Sequence, residues 1–263
     1  YNPFMRKFFV FLILFSISCV TTGPGGKTDF IFISTTEEVE IGRQVASEVE
    51  SQEKLLRNST VQNYVNDIGQ KIARVSDRTD IEYTFKVIDK KDINAFACPG
   101  GFIYVYTGLL ETLDNEAQLA AVLAHEISHV VARHSIKKLQ NIYGYSILAQ
   151  IALGDKAEGA AGTIVNVAAS LILQGYSRDN EFEADRYGIL YAKNAGYNPN
   201  GMIQVFEKFK EMGGSRPPAI LMLLSSHPPA EDRIRNGKSE ITKIGGTGLP
   251  YFEDRYKEIK SQL

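Results

Sequence analysis

Cysteine, histidine and net charge are all scarce in this chain: two cysteines, four histidines and a formal charge of −2 over 263 residues. Cys19 and Cys98 cannot build a disulfide framework, and a domain this long needs none to bury a core. If Cys19 is consumed by processing at the N-terminus, Cys98 is left without an internal partner. It sits in an apolar strand with no base beside it in sequence, so it reads as a small core residue and not a nucleophile. The 29 basic and 31 acidic residues are mixed, with no basic cluster in the body, which excludes nucleic-acid binding by charge. A bilayer span needs roughly 18 or more apolar residues. Phe8–Val20 and the apolar stretches 142–153 and 159–173 all fall short of it. Internal repeats and low-complexity tracts are absent as well, so one domain follows the N-terminal region.

That region has its own logic. Tyr1–Phe4 stand outside it. Met5-Arg6-Lys7 gives a positive start, Phe8–Val20 a charge-free apolar stretch, and Ser16-Ile17-Ser18 small residues before Cys19. The order is that of a secretory signal peptide over residues 1–18. Ile17-Ser18-Cys19 resembles a bacterial lipoprotein cleavage box, which implies a lipidated Cys19 and, with Val20 and Thr21 behind it, an outer-membrane address. Residues 19–36, containing Gly23-Pro24-Gly25-Gly26, then read as a flexible tether holding the domain of residues 37–263 at a membrane surface on the periplasmic side of the cell envelope.

Hydrophobic spacing organises the rest. Helices are expected over 37–56, 59–75, 115–139, 179–194, 199–212 and 230–236. A strand is expected over 83–89 and a hairpin over 94–106, with Cys98-Pro99-Gly100-Gly101 at its bend. Residues 142–175 are apolar and rich in Gly and Ala; packed core helices, a lid and a membrane-dipping hairpin are all open there. The tail from Gly237 is polar and carries no signal.

With so few histidines, chance gives His-x-x-x-His with Glu after the first His only about once in a few hundred such chains. His125-Glu126-Ile127-Ser128-His129 has that form. On a helix the two rings lie on one face, one turn apart, where both can hold one Zn²⁺ per chain. Glu126, about 100° round the axis, can reach a water beside the metal. The apolar flanks from Ala117 to Val131 suit a buried helix. A hydrolytic zinc site needs a third protein ligand, with the fourth position left to water. His134 fails as that ligand on a continuous helix, because it falls about 180° from His125; it reads as a surface or structural residue. Glu181-Phe182-Glu183-Ala184-Asp185 fits better. Glu181 and Asp185 share a face with Gly188, so Glu181 suits a ligand and Asp185 an acceptor for a ligand's ring N–H. Surface pairs with Arg178, Arg186 or Lys193 are the alternative.

Ser225-Ser226-His227-Pro228-Pro229 presents a His on a segment that prolines keep from being helical. His227 could bond a developing oxyanion, act as a fourth ligand that shuts the site, or simply hold a turn. Arg233 could stabilise the same oxyanion or pair with Glu231. Asn94, Ala95, Phe96 and Ala97 form a strand close in sequence to the metal helix, where an extended polypeptide could add by main-chain hydrogen bonds.

Taken together, Asn94-Ala95-Phe96-Ala97-x-Pro99-Gly100-Gly101, His125-Glu126-Ile127-Ser128-His129 with Arg133-His134, Glu181-Phe182-Glu183-Ala184-Asp185, and Ser226-His227-Pro228-Pro229 with Arg233 resemble the M48 family of zinc metallopeptidases. The resemblance covers residues 37–236. It implies an α+β, mainly helical fold of the gluzincin type, with a small mixed sheet bordering the active-site cleft. It makes His125, His129 and Glu181 the zinc ligands, Glu126 the general base and Asp185 a positioning or proton-handling residue. It also implies polypeptide substrates, with unfolded or misassembled envelope proteins the natural class. A chaperone-like assembly factor using zinc structurally is the rival reading, and a closed four-ligand site would favour it.

Overall fold

A computed structural model describes residues 23–29, 31–142, 174–215, 227 and 231–263. The leader, Cys19, residues 143–173 and the immediate neighbours of His227 lie outside the described residues, and the readings made for them rest on sequence. No described helix is long and apolar enough to cross a membrane.

The chain enters helix α1 (Thr35–Gln52) through a capping box, in which the Ser34 hydroxyl accepts from the Glu37 N–H and the Glu37 carboxylate accepts from the Ser34 N–H. Helix α2 (Ser59–Ala73) is capped by Asn58, whose side-chain oxygen accepts from Thr60 and Val61. Strands β1 (Thr84–Ile88), β2 (Ala95–Ala97) and β3 (Phe102–Tyr106) follow, then α3 (Thr107–Thr112) and α4 (Glu116–Val131). A further helical stretch covers 134–142. Past the undescribed region come α5 (Arg178–Asn194), α6 (Asn200–Ser215), α7 (Glu231–Ile244) and α8 (Glu253–Lys260). The fold is α+β, mainly helical, around a small mixed sheet.

The sheet runs β1-β3-β2, parallel between β1 and β3 and antiparallel between β3 and β2. Its period-2 alternation sends side chains into two cores. Phe96, Tyr104 and Tyr106 join Ile41, Val45 and Ala46 of α1, while Ala95, Ala97, Ile103 and Val105 join α2 and α4. The small alanines of β2 let α4 lie close to the sheet edge. Cys98 is fully buried on the α1 side, and burial pushes its thiol well above the usual range, as expected of a core residue. The turn Pro99–Gly101 places Gly100 and Gly101 at positive φ, 72° and 97°, where glycine has no Cβ to clash.

Every residue of α4 is buried. Its continuity ends earlier than the apolar pattern implies. Arg133 adopts φ 53°, a left-handed turn that is uncommon for a residue with a side chain. A buried charge cluster secures it. Arg133 Nε lies 2.6 Å from Glu38 Oε2, and Arg78 grips the same carboxylate through two nitrogens at 3.0 and 2.8 Å. The Arg78 guanidinium also donates to the Val130 carbonyl at 2.9 Å. Helix α1 is thereby tied to the end of the helix bearing the two histidines.

Two expectations change. Residues 23–29 and 31–34, assigned to a flexible tether, pack on the domain: Ile31 and Ile33 enter the α1-side core, and the Gly25 N–H donates to Asp77 at 2.8 Å. Apolar Ile31 and Ile33 gain more from burial than a free linker would retain in entropy. The tail after Gly237 is also not featureless. Helix α7 runs on to Ile244, and α8 inserts Tyr256 into the main core, where its hydroxyl donates to the Leu110 carbonyl at 2.8 Å.

Candidate metal centre

Helices α4 and α5 meet backbone to backbone. A Cβ on Gly188 would sit 3.1 Å from the His125 nitrogen, so only glycine allows this approach without a shift. The contact carries Glu181, near the start of α5, to the two rings. Ser177 caps α5 by accepting from the Asn180 N–H.

His125, His129, Glu181 and His227 converge, each offering one donor atom, all within 4.8 Å of one another. His125 Nε2 and His129 Nε2 are 3.0 Å apart. Glu181 oxygens lie 3.6 Å from His125 Nε2 and 3.5 Å from His129 Nε2. His227 Nδ1 is 3.0 Å from Glu181 Oε2 and 3.3 Å from His125 Nε2. A tetrahedral zinc with bonds of about 2.0–2.1 Å would hold its ligand atoms roughly 3.3–3.4 Å apart. The observed separations bracket that value. Three imidazole nitrogens and a carboxylate oxygen, gathered with so few protons to share, suit a cation, and this donor set suits zinc.

Three of the four donors, His125, His129 and Glu181, are held from behind. His125 Nδ1 lies 3.0 Å from Asp185 Oδ1, as the spacing of Glu181 and Asp185 implies. Arg233 clamps that carboxylate at 2.7 and 2.6 Å and reaches Glu181 at 3.2 Å. Burial is the largest single influence and works against a charged Asp185, yet the Arg233 charge, its hydrogen bonds and the neighbouring His125 together hold the carboxyl below its usual range. The expected pairing of Arg233 with Glu231 gives way. Glu231 pairs instead with Lys210 at 2.8 Å, and the buried guanidinium braces two carboxylates from the far side. On α7, Glu231 points away from α5 while Arg233 faces it.

Of the two readings of His134, surface or structural, the structural one fits. The left-handed Arg133 folds the chain back, so His134 is buried, with Nδ1 2.8 Å from His129 Nδ1. It remains outside the donor cluster, as the spacing predicts, but it is no surface residue. Its Nε2 faces Glu183 Oε2 at 3.1 Å, and the hydrogen bond from His134 holds the Glu183 carboxyl down to about 2. Tyr176 stacks on the His129 ring with centroids 4.2 Å apart. Nothing in the sequence signals that contact, since Tyr176 borders a stretch with no readable pattern.

Glu126 is buried beside the cluster, and burial raises its carboxyl above the usual range. Its Oε1 lies 3.8 Å from His227 Nε2. β2 is an edge strand packed on α4, with Asn94, Ala95, Phe96 and Ala97 all buried.

Known proteins are similar to this chain in sequence. The model of peptidase family M48 matches residues 59–241. The β-barrel assembly-enhancing protease of Escherichia coli K12 is 27% identical over 255 residues, covering 92% of this chain and 51% of that protein. The mitochondrial metalloendopeptidase OMA1 of Schizosaccharomyces pombe is 33% identical over 174 residues, 65% of this chain and 50% of its own length. The metalloprotease YcaL of Escherichia coli K12 is 29% identical over 218 residues, 78% of this chain and 76% of its own. The chain spans about half the length of the assembly-enhancing proteases it matches. With the family match running across most of the described fold and through the whole donor cluster, this chain belongs to peptidase family M48.

Proposed function

We propose that the chain is a zinc-dependent endopeptidase of the bacterial cell envelope, with His125, His129 and Glu181 holding the metal and Glu126 acting as general base. The observation that carries this reading is the gathering of those three donors around one point with Glu126 buried alongside. When bound there, zinc supplies a lowered water pKa of about 7 and polarises a peptide carbonyl. Glu126 takes a proton from water and returns it to the departing amine. A carboxyl whose proton affinity is raised by burial suits both halves of that transfer. Asp185 Oδ1, 3.0 Å from His125 Nδ1, stands where it attracts the ring proton to that nitrogen, which leaves the His125 Nε2 lone pair for the metal. Arg233 positions Asp185 and Glu181. Substrate binds as an added strand beside β2, along Asn94–Ala97.

His227 is the fourth donor of the cluster, and if all four donors held a tetrahedral ion, none of its positions would be left to water. That observation favours His227 as a latency ligand whose withdrawal opens the site. It equally supports the second reading, an assembly factor that uses zinc structurally. Polypeptide substrates among unfolded or misassembled envelope proteins are supported by the relatives named for β-barrel assembly. Attachment through a lipidated Cys19, after removal of residues 1–18, gives the envelope location.

Digestion of casein by the purified chain, with and without chelator and with zinc measured on the same sample, tests the assignment. Glu126→Gln is expected to keep one zinc per chain and lose turnover by at least about a thousandfold; retained cleavage refutes the base assignment. Removing the His227 ring is expected to raise basal cleavage several-fold. A fall instead marks transition-state assistance. Undetectable wild-type cleavage, with unfolded-protein binding intact in Glu126→Gln, supports the structural-zinc reading.

A further inference from the structure

His125 and His129 are oriented differently. His125 meets a carboxylate directly, whereas a second imidazole stands between His129 and its nearest carboxylate on that side. The order of protons along this second path follows from chemistry. The Glu183 carboxylate only accepts, so His134 Nε2 must donate to it across 3.1 Å. A neutral imidazole protonated on Nε2 carries its lone pair on Nδ1. The contact of 2.8 Å between His134 Nδ1 and His129 Nδ1 then needs the proton on His129. His129 is left with an Nε2 lone pair aimed at the cluster, 3.0 Å from His125 Nε2.

We propose that His134 and Glu183 are positioning residues for the metal, a relay in which the Glu183 charge fixes the tautomer and direction of the His129 ring through His134. This rests on the metallopeptidase reading for the identity of the ligand, but not on turnover. The relay is built at the end of α4 by the left-handed Arg133, which turns His134 back under His129. On the other side Glu183 shares α5 with Glu181, so one helix supplies both a ligand and the anchor for a neighbouring ligand. Its second oxygen accepts from Lys27 at 3.3 Å. The packed N-terminal segment therefore closes the relay at the surface, although an ion pair this exposed adds little.

The test measures zinc affinity of the full chain by competition with a chromophoric chelator, and the His129 tautomer from ring ¹⁵N shifts of the metal-free protein. The wild type should carry its His129 proton on Nδ1. His134→Ala should weaken zinc binding about 10–100-fold, the usual loss when the outer partner of a ligating histidine is removed. His134→Asn places an amide oxygen near the former Nδ1 and should restore affinity to within a few-fold. Glu183→Ala should weaken binding about tenfold and Glu183→Gln less, because the amide oxygen still accepts from His134. These two exposed-side changes keep the test open if His134→Ala fails to fold. Wild-type affinity in folded His134→Ala or Glu183→Ala overturns the relay. So does a His129 proton found on Nε2, or an affinity loss that asparagine does not repair, which would make the ring mere packing. Loss of zinc affinity without loss of cleavage at saturating zinc would leave the relay standing; failure of Glu126→Gln to abolish cleavage would instead strike the base assignment alone.

Discussion

Asp185 shows how much a single buried carboxylate carries here. It touches a proposed ligand on one side and a buried guanidinium on the other, at 3.0, 2.7 and 2.6 Å. Asp185→Asn keeps the shape but removes the charge that offsets Arg233. Breaking one side of a buried pair leaves the other side's desolvation uncompensated, typically at about 3–5 kcal/mol. Glu181 remains near Arg233, so the expected loss is at the low end, about 3 kcal/mol. Urea denaturation of the metal-free protein measures it. Zinc affinity should fall in the same variant, because an amide is a weaker acceptor for His125. A variant as stable as wild type would mean that Glu181 alone neutralises Arg233. The sequence placed Asp185 well, since a carboxylate one turn from a ligand on one helical face needs only the helix period to be seen. It misplaced Arg233, whose partner is chosen by how α7 lies against α5.

At the scale of elements, close approach decides more than propensity. Helix α1 crosses the Pro99–Gly101 turn at Gly42, where a Cβ would lie 1.9 Å from the Pro99 carbonyl oxygen. Backbone on both sides leaves nothing flexible to yield. Gly42→Ala, which would stabilise an isolated helix by about 1 kcal/mol, is expected to destabilise this protein by about 3 kcal/mol through overpacking. Equilibrium denaturation gives the sign, and a gain in stability would show that α1 can slide on the turn. The existence of α1, α2, α4 and α5 was legible from caps and apolar spacing, because those signals are local. The break at Arg133 was not. Its apolar surroundings continue the helical pattern, and the Glu38 and Arg78 side chains that hold the turn come from distant segments.

For the whole molecule, the C-terminal helix closes the main core. Besides Tyr256, α8 brings Arg255 to the fully buried Glu116 at 2.7 Å and Lys260 to the Leu113 carbonyl at 2.8 Å. These hold the loop and first turn that begin α4. Truncation before Glu253 removes a buried aromatic and two polar anchors, and is expected to cost about 3–5 kcal/mol. A thermal melt of the truncated chain checks this; an unchanged midpoint would mean that α8 is a passenger. The polar sequence of the tail hid this role. One buried tyrosine and one partly buried isoleucine, Ile259, in an otherwise charged helix give too little periodicity to reveal which face is inside.

What the sequence determined by itself was the chemistry on offer: two imidazoles and a glutamate on one helix, two carboxylates on another, and a glycine that lets the helices touch. Those follow from spacing along a regular helix, a property of the chain alone. Tertiary structure decided which groups stand behind the donors, and it brought His227 into the donor cluster. Arg233 against Asp185, Tyr176 on His129, and His134 between His129 and Glu183 depend on chain reversals and helix docking, where the contacting residues are far apart in sequence or follow a backbone turn that no local pattern encodes.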